Sequence, residues 1–242
     1  MKKLFLLPLF LVTILSCDKI EDFGITPSEI TYLPKIELVG PTLVNINCGD
    51  EAYDPANYSA SASEGGSEIE LNEVISGTFF GGSTVSGPDH YTVNYSAVNK
   101  DGIPGSAFRN IYINPCQGDV SAGDISGTYT SSIVRNGTTS PQYQNVGPIY
   151  IVKDGDKFKV SEATGGWYTY GRALGGAYSA LGLEVTSTDG INFTSDQTLT
   201  VNTFGGDLTL TSMKVDPATG IITLKSYWSF DYEFVATLVP AN

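Results

Sequence analysis

"HYTVNYSAVNK", residues 90 to 100, alternates in polarity along its length. Tyr91, Val93, Tyr95 and Ala97 fall on one face of an extended chain, and Thr92, Asn94 and Ser96 on the other. Successive side chains of a strand point to opposite sides, so a period of two marks a half-buried β-strand. On either side lie "KIELVG" (35–40), "TLVNINCG" (42–49), "EIELNEVISGTFF" (68–80) and "SAFRNIYIN" (106–114), each bounded by Gly, Pro or Asp. So many short strands in one stretch predict a β-sandwich over residues 35–116.

The same pattern continues after a Gly-, Asp- and Ser-rich hinge at 117–124, within "PCQGDVSAGD". Residues 125–242 read as a second antiparallel β-domain: "GTYTSSIVRNG", "GPIYIVKDGDKFKVSEA", "LEVTSTDGINFTS", "LTVNTF" and the segment from Asp207 to Pro240. Asp154-Gly155 and Asp189-Gly190 mark two tight hairpins, and "VDPATGI" (215–221) a longer one. Sequential hairpins predict an up-and-down meander, closed into a small barrel or folded as a sandwich. The whole chain is therefore expected to be all-β.

The N-terminus carries an address. Lys2 and Lys3 precede an apolar run from Leu4 to Leu15, too short for a spanning helix of about 20 residues. It ends in "ILSC", with Ser16 before Cys17. This resembles the lipobox of bacterial lipoproteins, which implies removal of residues 1–16, acylation of Cys17 and attachment to a membrane through lipid alone. Residues 17–34 read as a tether. Its Asp18, Glu21 and Asp22 resemble the acidic export signals of surface lipoproteins in Bacteroidetes-type bacteria, implying an outer-membrane, surface-exposed location.

Loss of 1–16 takes away two lysines, leaving 11 basic against 26 acidic side chains, a net charge of −15. So acidic a chain is not expected to bind polyanions, nucleic acid and anionic headgroups included. Neutral ligands such as glycans stay open. Cys48 and Cys116 remain in an oxidising compartment, where they could pair or stay as buried thiols.

Two segments of the first domain resemble the small Ig-like modules of bacterial surface proteins. They are Gly49, Tyr53, Asp54 and Pro55, and the run Gly87, Tyr91, Val93, Tyr95 and Ala97. The resemblance implies an Ig-like sandwich whose first long strand runs beside its last. That would bring Cys48 and Cys116 to one edge and favours a disulfide. "GTYT" (127–130) and the aromatic final strand resemble lipocalin-like barrels.

Catalytic constellations are sparse, and no cofactor motif or metal cluster is read. His90 is the single histidine and is expected on a strand surface. Asp231 and Glu233 would share a strand face, near the spacing of a glycosidase pair, although any strand with two outward acids does this. Phe79 and Phe80 suit either an exposed patch or packing against the second domain.

The richest binding candidate is "TGGWYTYGRALGG", residues 164–176. Read as extended, it places Trp167 on one face and Tyr168, Tyr170 and Arg172 on the other. Either face could lie outward, so Tyr168, Tyr170 and Arg172, or else Trp167, would offer flat rings and hydrogen-bonding groups to a sugar, with Tyr227 as a further candidate. Trp228 is expected in a core stripe with Phe230, Tyr232, Phe234, Ala236 and Leu238, while Tyr227 points outward. The layout of acidic tether, Ig-like spacer and distal β-domain resembles accessory lipoproteins of starch-utilisation-type systems. That implies a non-enzymatic protein binding polysaccharide or oligosaccharide, beside an outer-membrane transporter or other lipoproteins. An adhesion or structural role with protein partners, and a lipocalin-like carrier of a small apolar ligand, are the alternatives.

Overall fold

The alternating stretch lies mostly in one of the two ten-residue strands of a four-stranded sheet. A computed structural model describes residues 30–241, so the signal segment 1–16, Cys17 and the first part of the tether lie outside the described residues. The first seven strands are β1 (Lys35–Leu38), β2 (Leu43–Ile46), β3 (Ala60–Glu64), β4 (Ser67–Ile69), β5 (Asn72–Gly77), β6 (Asp89–Val98) and β7 (Pro104–Ile113). They form two sheets, β1-β3-β4 and β2-β7-β6-β5. Tyr91, Val93 and Tyr95 of β6, Ile111 of β7 and Val44 of β2 are buried in a common cluster. Ile36 and Leu38 of β1 and Ala60 of β3 close over it from the other sheet.

β2 runs parallel to β7, the other pairs of these sheets being antiparallel. Both strands therefore leave the sheet at the same end, and Cys48 and Cys116 are joined there with Cα atoms 4.8 Å apart. Arg109 of β7 is fully buried. A buried cation is tolerated only if its donors are used. Here they reach the carbonyls of Pro41 (3.0 Å), Val39 (2.6 Å) and Tyr58, and the Tyr95 hydroxyl (3.2 Å). Arg109 thus ties the β1–β2 connection to the core.

Nine strands follow: β8 (Gly127–Arg135), β9 (Val146–Asp154), β10 (Lys157–Val160), β11 (Leu183–Val185), β12 (Asn192–Phe193), β13 (Thr198–Val201), β14 (Gly205–Val215), β15 (Ile222–Trp228) and β16 (Tyr232–Pro240). Their order is β11-β10-β9-β8-β16-β15-β14-β12, with β13 also on β14. Mutual hydrogen bonds of 3.0 and 2.9 Å between Thr186 and Thr194 bridge the two ends of this series. The meander is thus a nearly closed barrel and not a sandwich.

The expected single aromatic strand is corrected: β15 and β16 are separated by a turn at 229–231, with Asp231 at φ +61°. Trp228 pairs across the turn with Tyr232, so the alternation survives a reversal of the chain that it does not reveal. Phe230 leaves the core stripe and is 54% exposed. Asp231 and Glu233 do not share a strand face, because Asp231 lies in the turn.

Leu33–Asn242 form one compact unit in which sandwich and barrel touch. Phe79 is buried and meets the ring of Tyr150 of β9 edge-on at 5.9 Å. The Tyr150 hydroxyl donates to Asn114 Oδ1 (2.8 Å), and burial pushes its pKa up to about 12.

His90 is half-buried rather than on the surface, its ring 4.0 Å from that of Tyr112. Burial lowers its pKa below the ordinary 6.5, against the opposing pull of Asp89. The unfolded chain then takes up this proton at higher pH than the folded one. The contribution is fully present above pH 6.5 and is lost as pH falls below it toward the folded value. Urea unfolding at pH 7.5 and 5.5 is expected to show a larger acid loss in the wild type than in His90→Gln. Equal losses would contradict this.

Candidate functional site

Between β10 and β11 the chain turns into the barrel, and every residue from 161 to 169 is buried. Glu162 organises this inward segment. Its carboxylate accepts from the Thr164 hydroxyl (2.8 and 2.9 Å to its two oxygens), the Gly166 N–H and the Ala180 N–H (2.9 Å). Burial raises the Glu162 pKa above the carboxylate range, while these donors oppose the rise. Ser226 Oγ of β15 donates to the Ala163 carbonyl (2.8 Å).

Two glycines are required here. At Gly165, φ +70°, a Cβ would lie 2.4 Å from the Ala236 methyl on the barrel wall. At Gly171 it would lie 2.4 Å from the Tyr143 ring. The close approach lets Trp167–Gly171 form one wide helical turn, with Gly171 N–H to Gly166 O and Arg172 N–H to Trp167 O, each 3.0 Å.

The turn corrects the extended reading of 164–176. In a strand Trp167 and Tyr168 would face opposite ways, but in this turn both enter the barrel, each 3% exposed. Trp167 stacks on Tyr143 with centroids 3.4 Å apart and planes within 8°. Tyr168 meets Phe204 (5.0 Å), Trp228 (5.8 Å) and Phe234 (6.1 Å). Tyr170 is mostly covered. Its hydroxyl donates to the Pro148 carbonyl (2.8 Å), and desolvation drives its pKa far above the phenol range. Arg172 stays exposed, its guanidinium 5.7 Å from the Tyr168 ring. Tyr227 is 42% exposed and donates to Asp231 (2.7 Å). Trp167, Tyr168 and Tyr170 do not form an outer patch; they form a plug with Arg172 at its rim, and Tyr227 lies apart from them on β15.

Strand register places the connections 136–145, 161–182, 202–204 and 229–231 at this same end of the barrel. Phe204 (41% exposed) and Phe230 (54% exposed) project there, with ring centroids 6.1 and 4.7 Å from Trp228, buried beneath them. Sequence reasoning missed both. Their signal was a large ring inside a turn, in "NTFGG" and "SFDY", where no strand face can bury it.

Arg135, at the end of β8, was missed as well. Its guanidinium carbon lies 4.7 Å from the Trp167 ring centre and 4.4 Å from that of Tyr232. Arg135, Thr138, Thr139, Ser140, Tyr143 and Trp167 line a pocket of about 210 Å³. A larger hollow of about 810 Å³ lies at the other end, over the β14–β15 hairpin and its flanks; Lys214, Asp216 and Lys225 line it, with no aromatic ring.

A family model described as "-like, C-terminal domain" matches residues 117–240, just over half the chain, covering hinge and barrel. The chain belongs to that family. A crystal structure of a lipoprotein from Bacteroides thetaiotaomicron is similar at 21% identity and a TM-score of 0.54, covering 86% of this chain and 100% of that one. This likeness concerns the fold, and it extends beyond the family domain into the sandwich. A candidate outer membrane protein of Bacteroides fragilis NCTC 9343 matches at 14% identity and a TM-score of 0.28, over 86% of this chain and 87% of that one. No curated protein matches the sequence.

Proposed function

We propose that the protein is a non-enzymatic, lipid-anchored outer-membrane protein that binds carbohydrate at the plugged end of its barrel. The observation that carries this reading is the pair of exposed rings, Phe204 and Phe230, held over buried Trp228 with the Arg172 cation on the same rim. Rings supported from below give sugar C–H groups a flat face at little cost in side-chain order. The lipobox-like "ILSC" and the lipoprotein nature of the Bacteroides thetaiotaomicron relative support the anchor. The tether and an Ig-like sandwich would hold the rim away from the membrane, within reach of a polysaccharide and a transporter. The plug disfavours a carrier of apolar ligands, because its side chains occupy the barrel interior.

A glycan array probed with soluble protein lacking residues 1–17 tests this. The wild type is expected to bind one or more polysaccharides saturably. Two stacking contacts at about 0.5–1.5 kcal/mol each make Phe204→Ala/Phe230→Ala weaker by roughly fivefold to a hundredfold. A blank array would overturn the proposal.

A further inference from the structure

The small pocket beside the plug suits an acid rather than a neutral sugar. The chain has three arginines, Arg109, Arg135 and Arg172, and two of them stand at the plugged end of the barrel. Arg135 has five N–H donors to satisfy. Among the described residues its guanidinium makes one hydrogen bond, of 3.3 Å to the Tyr168 hydroxyl, and no ion pair. In a chain with 26 acidic side chains, a half-buried arginine without a carboxylate has its charge-pairing capacity open.

Its surroundings are also supplied with donors. Thr138 and Ser140 line the same pocket, and neither hydroxyl is hydrogen-bonded among the described residues. Thr139 is engaged, donating to the Ile133 carbonyl (2.7 Å) and accepting from Gln144 (2.7 Å). Trp167, whose ring lines the pocket, has a buried Nε1–H with no partner. A buried donor left unpaired is costly. The other tryptophan differs: Trp228 Nε1 donates to the Gly205 carbonyl (3.0 Å).

We propose that the Arg135 pocket takes the carboxylate of an acidic sugar residue, a hexuronic acid, while the Phe204–Phe230 rim holds the neighbouring part of the glycan. The planar guanidinium fork matches a carboxylate in two parallel hydrogen bonds. Trp167 and Tyr232 hold that fork in place from their ring faces. At about 210 Å³ the pocket is smaller than the roughly 300–1,000 Å³ of sites for drug-sized ligands, which suits one sugar ring. This inference rests on the carbohydrate reading above and names its ligand class.

The two tryptophan indole N–H signals in a proton–nitrogen NMR spectrum report directly. Soluble protein is titrated with galacturonic acid, galactose, acetate and a short peptide with a free C-terminal carboxylate. Galacturonic acid is expected to move the Trp167 indole signal saturably and at least tenfold more tightly than galactose, with the Trp228 signal little changed. Arg135→Gln should abolish the preference for the acid. Because Arg135 also packs on two rings, Thr138→Val and Ser140→Ala, in a folded protein, are expected to weaken galacturonic acid binding severalfold. Equal binding of galactose and galacturonic acid, with the array still positive, would overturn the inference and leave the carbohydrate reading standing. Acetate or the peptide binding as tightly as galacturonic acid would overturn the sugar assignment. A blank array with no response to either sugar would overturn both.

Discussion

Trp167→Ala is expected to destabilise the protein by about 3–5 kcal/mol, the usual loss when a buried tryptophan is cut back and its cavity cannot collapse. Trp167 is 3% exposed, stacked on Tyr143, edge-on to Phe234 and covered by the Arg135 guanidinium. Few of these neighbours can move inward, since Gly165 already brings the plug's backbone against the Ala236 methyl. Arg172, five residues on, is exposed, and Arg172→Ala should change stability by no more than about 0.5 kcal/mol. Chemical denaturation of the two variants separates a plug from a surface loop. Similar small losses in both would mean that the segment does not sit in the barrel.

The second large effect concerns the disulfide. Cys48–Cys116 closes a loop of 68 residues, and the chain-entropy relation gives about 4 kcal/mol for a loop of that length. The sandwich has little with which to replace it. Its fully buried apolar cluster comprises Val44, Tyr91, Val93, Tyr95 and Ile111, whereas the barrel core draws on most of its strands and the plug. The double variant Cys48→Ser/Cys116→Ser should therefore lower the urea midpoint of the sandwich far more than that of the barrel. If both domains unfold together, the single midpoint should fall by the same free energy. No change in either would contradict a structural role for the bond.

Alternation made the all-β class and the strands of the sandwich legible, because Tyr91, Val93 and Tyr95 bury their side chains as a period of two requires. Asp154-Gly155 marked its hairpin for a similar reason, β9 and β10 pairing directly on either side of it. The plug was not legible. In "TGGWYTYGRALGG" a strand and a helical turn differ in where successive rings point, and nothing local chooses between them. The choice comes from Glu162 and Ala180, which hold the segment at its ends, and from the room that Gly165 and Gly171 leave for the barrel wall and Tyr143. Tertiary contacts set the period there. The turn at 229–231 was hidden for a different reason, since pairing of Trp228 with Tyr232 carries the aromatic pattern across the reversal. Arg135 was passed over because its significance is a missing partner, and a missing partner can be seen only in three dimensions.

Both tryptophans of the chain lie at the proposed binding end, Trp167 against the Arg135 pocket and Trp228 beneath Phe204 and Phe230. Intrinsic tryptophan emission therefore reports on this end alone. Titrating the soluble protein with the polysaccharides that score on the array tests the assignment most directly. A saturable change in emission that disappears in Phe204→Ala/Phe230→Ala is the predicted result. Polysaccharide binding that leaves the emission unchanged, or that persists unaltered in the double variant, would place the ligand elsewhere and contradict the account.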